Sequence, residues 1–363
     1  MNFYMLWLTK VFNVSNIKLI EFSSIIPPDV AYNSTREDFE ELNISENLIE
    51  KLLSQKIKDE AKRDFEFCEK ENIKIIDITS NEYPFNLFNI QSPPPVLYCK
   101  GTLLPKDEIS ISIVGSRRYS EYGMLCTKKF AYELAKCGIS IISGMATGID
   151  SFAHKYALEA KGRTIAVLGN SVNIIYPEEN QKLYYDIIQN GAVISEFPLN
   201  TPPLPKNFPV RNRIVAGMSL GTLVVEANKK SGTMITARLA AEAGRNVYAV
   251  PGPIFSQSSL GTSLLIKDGA KITTSTEDII EDIFFEISKK LPKSEQISLF
   301  DTPKLSDKES MIYKKLSLMP TTIDSLVCDT KLPISELIST LSMLEINGYI
   351  KSLPGRQYVI NAK

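Results

Sequence analysis

The sequence is short of the residues that most catalytic and metal centres rely on. It holds a single histidine, His154, so no histidine-rich metal centre can be assembled and histidine-based acid–base chemistry has at most one candidate. Its five cysteines, Cys68, Cys99, Cys126, Cys137 and Cys328, are scattered, odd in number and free of any C-x-x-C pair. That argues against a disulfide framework and against zinc. No apolar run approaches the ~20 residues of a membrane span, and the opening MNFYMLWLTKVFNV lacks both a basic leader and a small-residue cleavage site. The expectation is a cytoplasmic protein with no membrane role, no metal and no cofactor. An excess of basic residues is missing too. With 41 Lys+Arg against 42 Asp+Glu the net charge is −1, so any nucleic-acid surface must be a local one.

Glycine is absent from the first hundred residues; all 18 lie at or after Gly101. A chain of 363 residues suggests two or three domains, and this asymmetry draws the first boundary. Residues 1–68 read as short amphipathic helices, with apolar spacing at Leu42, Leu48, Ile49, Leu52 and Leu53. A domain of this size and pattern suits a SAM or helix-hairpin-helix module. The latter presents glycine amides to phosphate, however, and this stretch has none. Residues 1–66 also carry 8 basic against 12 acidic side chains, which favours a packing or partner-binding role.

From about Asn72 the period changes. Runs at 73–78, 111–115, 139–144, 164–169, 192–196, 222–227 and 246–250 are nearly continuous hydrophobics separated by helix-length segments. That predicts an α/β domain over 69–288, a Rossmann-like doubly wound, mostly parallel sheet covered on both faces. PPPVLYCKG (93–101) reads as a rigid lead-in joined to this sheet. Residues 289–306 read as a polar linker. Residues 307–363 suggest a winged helix, with a helical stripe at Ile334, Leu337, Ile338, Leu341 and Leu344 and a hairpin turning at Pro354-Gly355. The stretch Ile334–Ile346 has no lysine, arginine or glutamine and carries Glu336 and Glu345, so it reads as a protein-contact module, not a promoter reader.

Four segments of the central domain place polar chemistry at strand ends, where a doubly wound sheet binds ligands. In IVGSRRYSEYG (113–123), Arg117 takes the place of the second glycine of a dinucleotide fingerprint. With Ser116 it offers a phosphate fork where NAD would need space, or else only a capped turn. In SGMATGIDSFAH (143–154), Ser143 and Gly144 end a strand and Gly148 and Asp150 precede a helix. The helix start is an anion site in outline, although a capping role suits Asp150 better and a packed structural role suits His154. In FPLNTPPLPKNFPVRNRIVAG (197–217), prolines predict a stiff, extended loop bearing Lys206, Phe208, Arg211, Asn212 and Arg213. Cations that track a backbone beside an aromatic suit a single strand. The plainer alternatives are that Phe208 packs on the sheet edge and Arg213 pairs with Glu196 or Glu226. Finally, Lys229, Lys230 and Ser231 precede Gly232 and Thr233 at the start of an alanine-rich helix, again a phosphate-favouring terminus.

Taken in order, IVGSRRYSEYG, ISGMATGIDSFAHKYAL, TIAVLGN, YPEEN, GAVISEFPL, FPVRNRIVAG, GTLVVEANKKSGTMITARLAAEAGRNVYAVPG and GTSLLIKDGA resemble the DNA-processing protein A family, also called Smf, across about residues 106–275. The resemblance implies a non-catalytic, homodimeric binder of single-stranded DNA that helps load the recombinase RecA during uptake and recombination of transforming DNA. It implies a basic pocket lined by Arg117, Lys206, Phe208, Arg211 and Arg213, with Ser116, Ser143, Gly144, Asn212, Lys230 and Gly232 as further contacts. An enzymatic alternative is a nucleotide-monophosphate phosphoribohydrolase, whose P-G-G-x-G-T-x-x-E motif is only partly met by Met218–Glu226. The Pro-Gly-Gly is missing and Glu226 falls one residue late, a shift that turns a strand side chain to the other face.

Overall fold

The structure is a computed structural model that describes residues 2–12, 16–290, 305–316 and 320–360. It divides into two compact units, Met1–Thr274 and Ser275–Lys363.

The first unit opens with six helices among the described residues, from α1 (Asn2–Val11) to α6 (Gln55–Lys70). The expected separation at residue 68 is not found. Trp7, Phe39, Ile49 and Leu52 share one core with Ile75, Val96 and Tyr98 of the first two strands. Asn2 Nδ2 also donates to the Ile75 carbonyl at 2.6 Å. An amphipathic helix must bury its apolar face against something, and here strands β1 (Lys74–Asp77) and β2 (Val96–Gly101) supply the wall.

Those strands are the antiparallel margin of a nine-stranded sheet ordered β1-β2-β6-β5-β4-β3-β7-β8-β9. The others are β3 (Ser110–Val114), β4 (Ser140–Ser143), β5 (Thr164–Val167), β6 (Gly191–Ser195), β7 (Gly221–Val224), β8 (Asn246–Ala249) and β9 (Lys271–Ile272), and all run parallel. Every hydrophobic run read from the sequence forms a strand. The lead-in adds β2, and the two-residue β9 was not expected. Strands β3 to β6 are buried along their whole length. Alternate residues serve opposite faces: Ala166 and Val193 pack with Tyr184 and Ile187, while Val167 and Ile194 pack with Ile214, Val215 and Met218. Hydroxyls buried within the strands bond to carbonyls, as Ser143 does to Ile113 at 2.6 Å and Ser112 does to Val215.

Between the strands lie α7 (Phe85–Phe88), α8 (Glu121–Lys136), α9 (Ile149–Glu159), α10 (Gln181–Asn190), α11 (Asn207–Met218), α12 (Gly232–Glu242) and α13 (Leu260–Lys267). Helices α8 and α9 pack together, as do α11 and α12. The stretch 197–217, expected to be extended, is helical from Asn207 onward. Pro209 does not prevent this, because it falls in the first turn, where amides lack intrahelical acceptors. From β3 the chain steps outward through β4, β5 and β6, then returns to lay β7 beside β3. The carboxyl ends of β5, β4, β3, β7 and β8 therefore form one continuous edge.

The second unit contains α14 (Glu277–Lys290), α15 (Asp307–Tyr313), α16 (Ile323–Thr330), α17 (Ile334–Ile346) and a sheet ordered β10 (Thr321–Thr322), β12 (Gln357–Ile360), β11 (Ile350–Leu353). This matches the winged-helix expectation, and the hairpin turns through Gly355 at φ +85°. In the α17 stripe Leu337, Leu341 and Leu344 are buried, whereas Ile334 and Ile338 are exposed. Because α14 belongs to this unit, the division falls at 274, not 288. Most of the expected linker lies outside the described residues.

A buried polar cluster shapes the edge of the first unit. Arg211 is 3% exposed, and its Nη1 donates to the carbonyls of Gly144 (2.7 Å) and Val167, at the ends of β4 and β5. Asp150 lies beside it and accepts from the Gly144 amide at 3.2 Å. Asp150 thus closes the 144–150 loop, and the position before the helix belongs to Gly148, a departure from the expected cap. Burial pushes the Arg211 pKa down to about 10 against the pull of Asp150, so the guanidinium keeps its charge at neutral pH. Burial also raises the Asp150 pKa, with Arg211 opposing. His154 is fully buried, and its Nδ1 meets the Thr164 hydroxyl at 2.6 Å. Thr164 gives its proton to the Ile141 carbonyl, so Nδ1 must be the donor.

Two expectations follow from this cluster. Arg211→Ala leaves Asp150 buried without its counter-charge and should destabilise the protein by about 3–5 kcal/mol in urea denaturation; a change under about 0.5 kcal/mol would remove Arg211 from this role. Burial, reinforced by Arg211, pushes the His154 pKa down to about 3. Its contribution to stability is then fully present above the unfolded value near 6.5 and is lost as pH falls below it. Thermal midpoints from pH 7 to pH 4 should fall less steeply in His154→Asn than in the wild type. Asp150 contributes with the opposite sign in both proteins, so the difference reports the histidine.

Candidate functional site

A cavity of about 570 Å³ opens at the carboxyl ends of β3, β4 and β5. Three short segments build its floor and walls: Gly144–Thr147 after β4, Leu168–Asn170 after β5, and Tyr176–Glu179 ahead of α10. Arg117 from the turn after β3 and Phe208 from the first turn of α11 complete it. Each segment is tethered. Asn180 Nδ2 donates to the Met145 carbonyl at 2.9 Å, and Asn170 Nδ2 donates to the carbonyls of Ser171 and Ile174. The Ser116 carbonyl accepts the Ile149 amide at 3.3 Å, which draws the Arg117 turn onto the start of α9.

Two glycines permit this packing by having no side chain. A Cβ on Gly169 would lie 2.7 Å from the Phe208 ring, so the ring rests directly on that backbone. A Cβ on Gly144 would lie 2.7 Å from both the Arg211 guanidinium and the Asp150 carboxylate. Phe208 is half-buried, with Tyr176 beside it at a ring separation of 5.9 Å. Guanidinium carbons of Arg117 and Arg211 lie 5.5 Å and 5.8 Å from its ring centroid. One of these cations is exposed and the other is sealed in the interior. The result is an aromatic surface under an accessible cation, at a mouth that also carries the carboxylates of Glu178 and Glu179. Among the described residues no cluster of three or more His, Cys, Asp or Glu is arranged to hold a metal.

The residues singled out from sequence separate into distinct groups. Arg117, Gly144 and Phe208 meet in the cavity. Lys206 is exposed just ahead of α11, and Ser116 bonds its own turn through Arg118. Arg211 is buried, with Nη1 bonded to the Gly144 and Val167 carbonyls and Nε to the Asn212 side chain. Arg213 forms a two-point pair with Glu196 at 2.6 and 2.7 Å, one of the plainer alternatives read from the sequence. Ser143 is fully buried with its hydroxyl on Ile113, and the Gly144 amide is committed to Asp150. Asn212 bridges toward the Gly232 carbonyl at 3.5 Å. Lys230 and Gly232 line a second cavity of about 1020 Å³ between α12 and α13. Sequence reading missed Tyr176, Thr147 and the two glutamates as lining. The YPEEN segment and the glycine after β5 were the available signals, and neither had been given a role.

The fold and sequence have counterparts among known proteins. The model of the family described as DNA recombination-mediator protein A matches residues 74–284, and the DprA winged helix domain model matches residues 300–356. Protein Smf of Escherichia coli (strain K12) is 40% identical over 293 residues, which is 80% of this chain and 78% of the relative. The X-ray structure of DNA processing protein A (DprA) from Streptococcus pneumoniae matches with a TM-score of 0.67 at 30% identity, over 78% of this chain and 98% of that one. DNA processing protein A from Helicobacter pylori, solved for its single-stranded DNA binding mode, matches with a TM-score of 0.53 at 31% identity, over 59% of this chain and 96% of that one. On the family match across the sheet, together with the relative's identity and coverage, the chain belongs to the DNA recombination-mediator protein A family.

Proposed function

We propose that the cavity between β3 and β5 holds single-stranded DNA without turnover, and that the protein delivers the bound strand to a RecA recombinase in the cytoplasm, as a homodimer. The observation that carries the DNA reading is the exposed Arg117 guanidinium poised over the half-buried Phe208 ring at the mouth of the cavity. A ring resting on bare backbone can accept a base on its open face, and a cation beside it can take the adjoining phosphate. In support, the Helicobacter pylori neighbour is a single-stranded DNA binder. The RecA and dimer parts rest on family membership, and the cytoplasmic part is consistent with the absence, among the described residues, of a helix long and apolar enough to cross a membrane.

The phosphoribohydrolase alternative requires Glu226 to face a nucleotide. Its carboxylate instead accepts bonds from the Ser120 amide (3.0 Å), the Ser120 hydroxyl and the Ser258 hydroxyl, and it is 2% exposed. It also lies against Gly123, where a Cβ would come within 2.3 Å. The crevice between β3 and β7, where the strand order reverses and a doubly wound sheet usually takes a nucleotide, is filled by this negative side chain.

Titration of single- and double-stranded oligonucleotides at several salt concentrations tests the proposal. With Arg211 and Arg213 engaged inside the protein, Arg117 at the mouth and the exposed Lys206 just ahead of α11 supply the phosphate contacts. For a trinucleotide, short enough to occupy the cavity alone, the log–log salt slope should then be about −1.4, and Arg117→Ala should flatten it by about 0.7. Equal affinity for duplex, or release of free base from nucleoside monophosphates, would overturn the reading. Phe208→Ala should weaken binding by about 1–3 kcal/mol with the salt slope intact; loss of folding instead would assign the ring a packing role alone.

A further inference from the structure

Beyond the cavity, the same sheet edge carries a feature that the site above does not use. Phe255 is 95% exposed and its neighbour Ile254 is 76% exposed, at the tip of the loop that follows β8. Single exposed apolar residues are ordinary, but this pair projects from a loop held firmly in place. The Tyr122 hydroxyl donates to the Pro251 carbonyl at 2.8 Å, and the Ala227 amide donates to the Ser258 carbonyl at 2.8 Å. The Gly261 amide donates to the Ala227 carbonyl at 2.7 Å, and Glu226 joins Ser120 to Ser258. The loops after β3, β7 and β8 are thereby locked to one another around one carboxylate.

Those loops present cations between the cavity and Phe255. Arg117 and Arg118 follow β3, and Lys229 and Lys230 follow β7; all four are exposed. No described carboxylate forms an ion pair with any of them. Over the same three loops the acids are Glu121 and the buried Glu226. From β5, whose turn carries Phe208 on Gly169, to β8 is four strand spacings, roughly 19 Å at ~4.8 Å each. The edge therefore offers an aromatic at each end and positive charge between, the pattern that tracks a nucleic-acid backbone.

We propose that the bound strand does not end in the cavity but continues over the carboxyl ends of β7 and β8, with phosphates on Arg118, Lys229 and Lys230 and a further base stacked on Phe255. The proposal rests on the single-stranded DNA reading of the cavity and extends it to a second stacking platform. Its occupant is the same strand, because the platform is continuous with the cavity along one edge and the charge between them suits phosphates.

The test uses the full chain with thymidine trinucleotide and dodecanucleotide, the first short enough to occupy the cavity alone. Phe255→Ala should weaken dodecanucleotide binding about tenfold and leave the trinucleotide unchanged. Phe208→Ala should weaken both. Replacing Lys229 and Lys230 together by alanine should flatten the salt slope by about 1.4 for the dodecanucleotide only. Thermal midpoints should not move in Phe255→Ala, since the ring touches little. Wild-type affinity for the dodecanucleotide in Phe255→Ala overturns the extension, and a persisting Phe208→Ala defect would then leave the cavity reading standing. Failure of the wild type to bind either oligonucleotide removes both. If Phe255→Ala instead halves the mass by sedimentation and weakens both lengths alike, the ring is an interface between copies and the proposal is wrong.

Discussion

A single buried guanidinium organises the carboxyl edge of this sheet. Arg211 rises from the first turns of α11 and bonds the terminal carbonyls of two neighbouring strands, with the Asp150 carboxylate beside it. A charge this deep is costly unless its donors are met and a counter-charge lies close; here Nη1 is met by two strand carbonyls, Nε by Asn212, and Asp150 lies nearby. The same contact requires glycine at 144 and brings α11 down onto the β5 turn, where Phe208 lies across Gly169. That strut joins the aromatic floor of the cavity to the turn after β4, which Asn180 and Asp150 also hold. Stability and the shape of the cavity therefore share one interaction.

The arrangement also explains why a nearly neutral protein needs few cations to make a site. Of the basic residues in the 206–213 segment, Arg211 is consumed by the backbone and Arg213 by Glu196. The accessible charge comes from a different segment, the Arg117 turn, brought into register by the Ser116 carbonyl against the start of α9. A modest electrostatic component beside a stacking surface favours an unpaired strand over a duplex, whose bases are not free to leave the stack. The filled crevice at Glu226 pushes in the same direction, because it denies a mononucleotide the place it usually takes in this type of sheet.

Much of the fold was legible because buried parallel strands announce themselves as continuous apolar runs, and all seven such runs are strands. The helical start was legible as helix but not as part of the sheet's own unit. Its core is completed by Ile75, Val96 and Tyr98, contacts that no local pattern reports. Arg117 and Phe208 were readable from residue type beside a strand end. The burial of Arg211 was not legible, and for Arg213 the pairing with Glu196 was legible only as one alternative, because sequence shows charge and spacing while burial on the inner face of a helix depends on how that helix docks. Prolines suggested an extended loop over 197–217, yet Pro209 sits where a helix tolerates it, and that change of backbone turned Arg211 inward. Tyr176 was missed for a related reason. It reaches Phe208 only because Asn180 pins its segment to the Met145 carbonyl.

The central claim is that a base rests on Phe208 beside Arg117. Photo-crosslinking of an oligonucleotide carrying a single 5-iodouracil, with the adducts mapped by mass spectrometry, tests it most directly. The account predicts adducts on Phe208 and Tyr176 that disappear when unlabelled single strand, but not duplex, is added in excess. Adducts confined to residues 320–360, or to the first seventy residues, would contradict it.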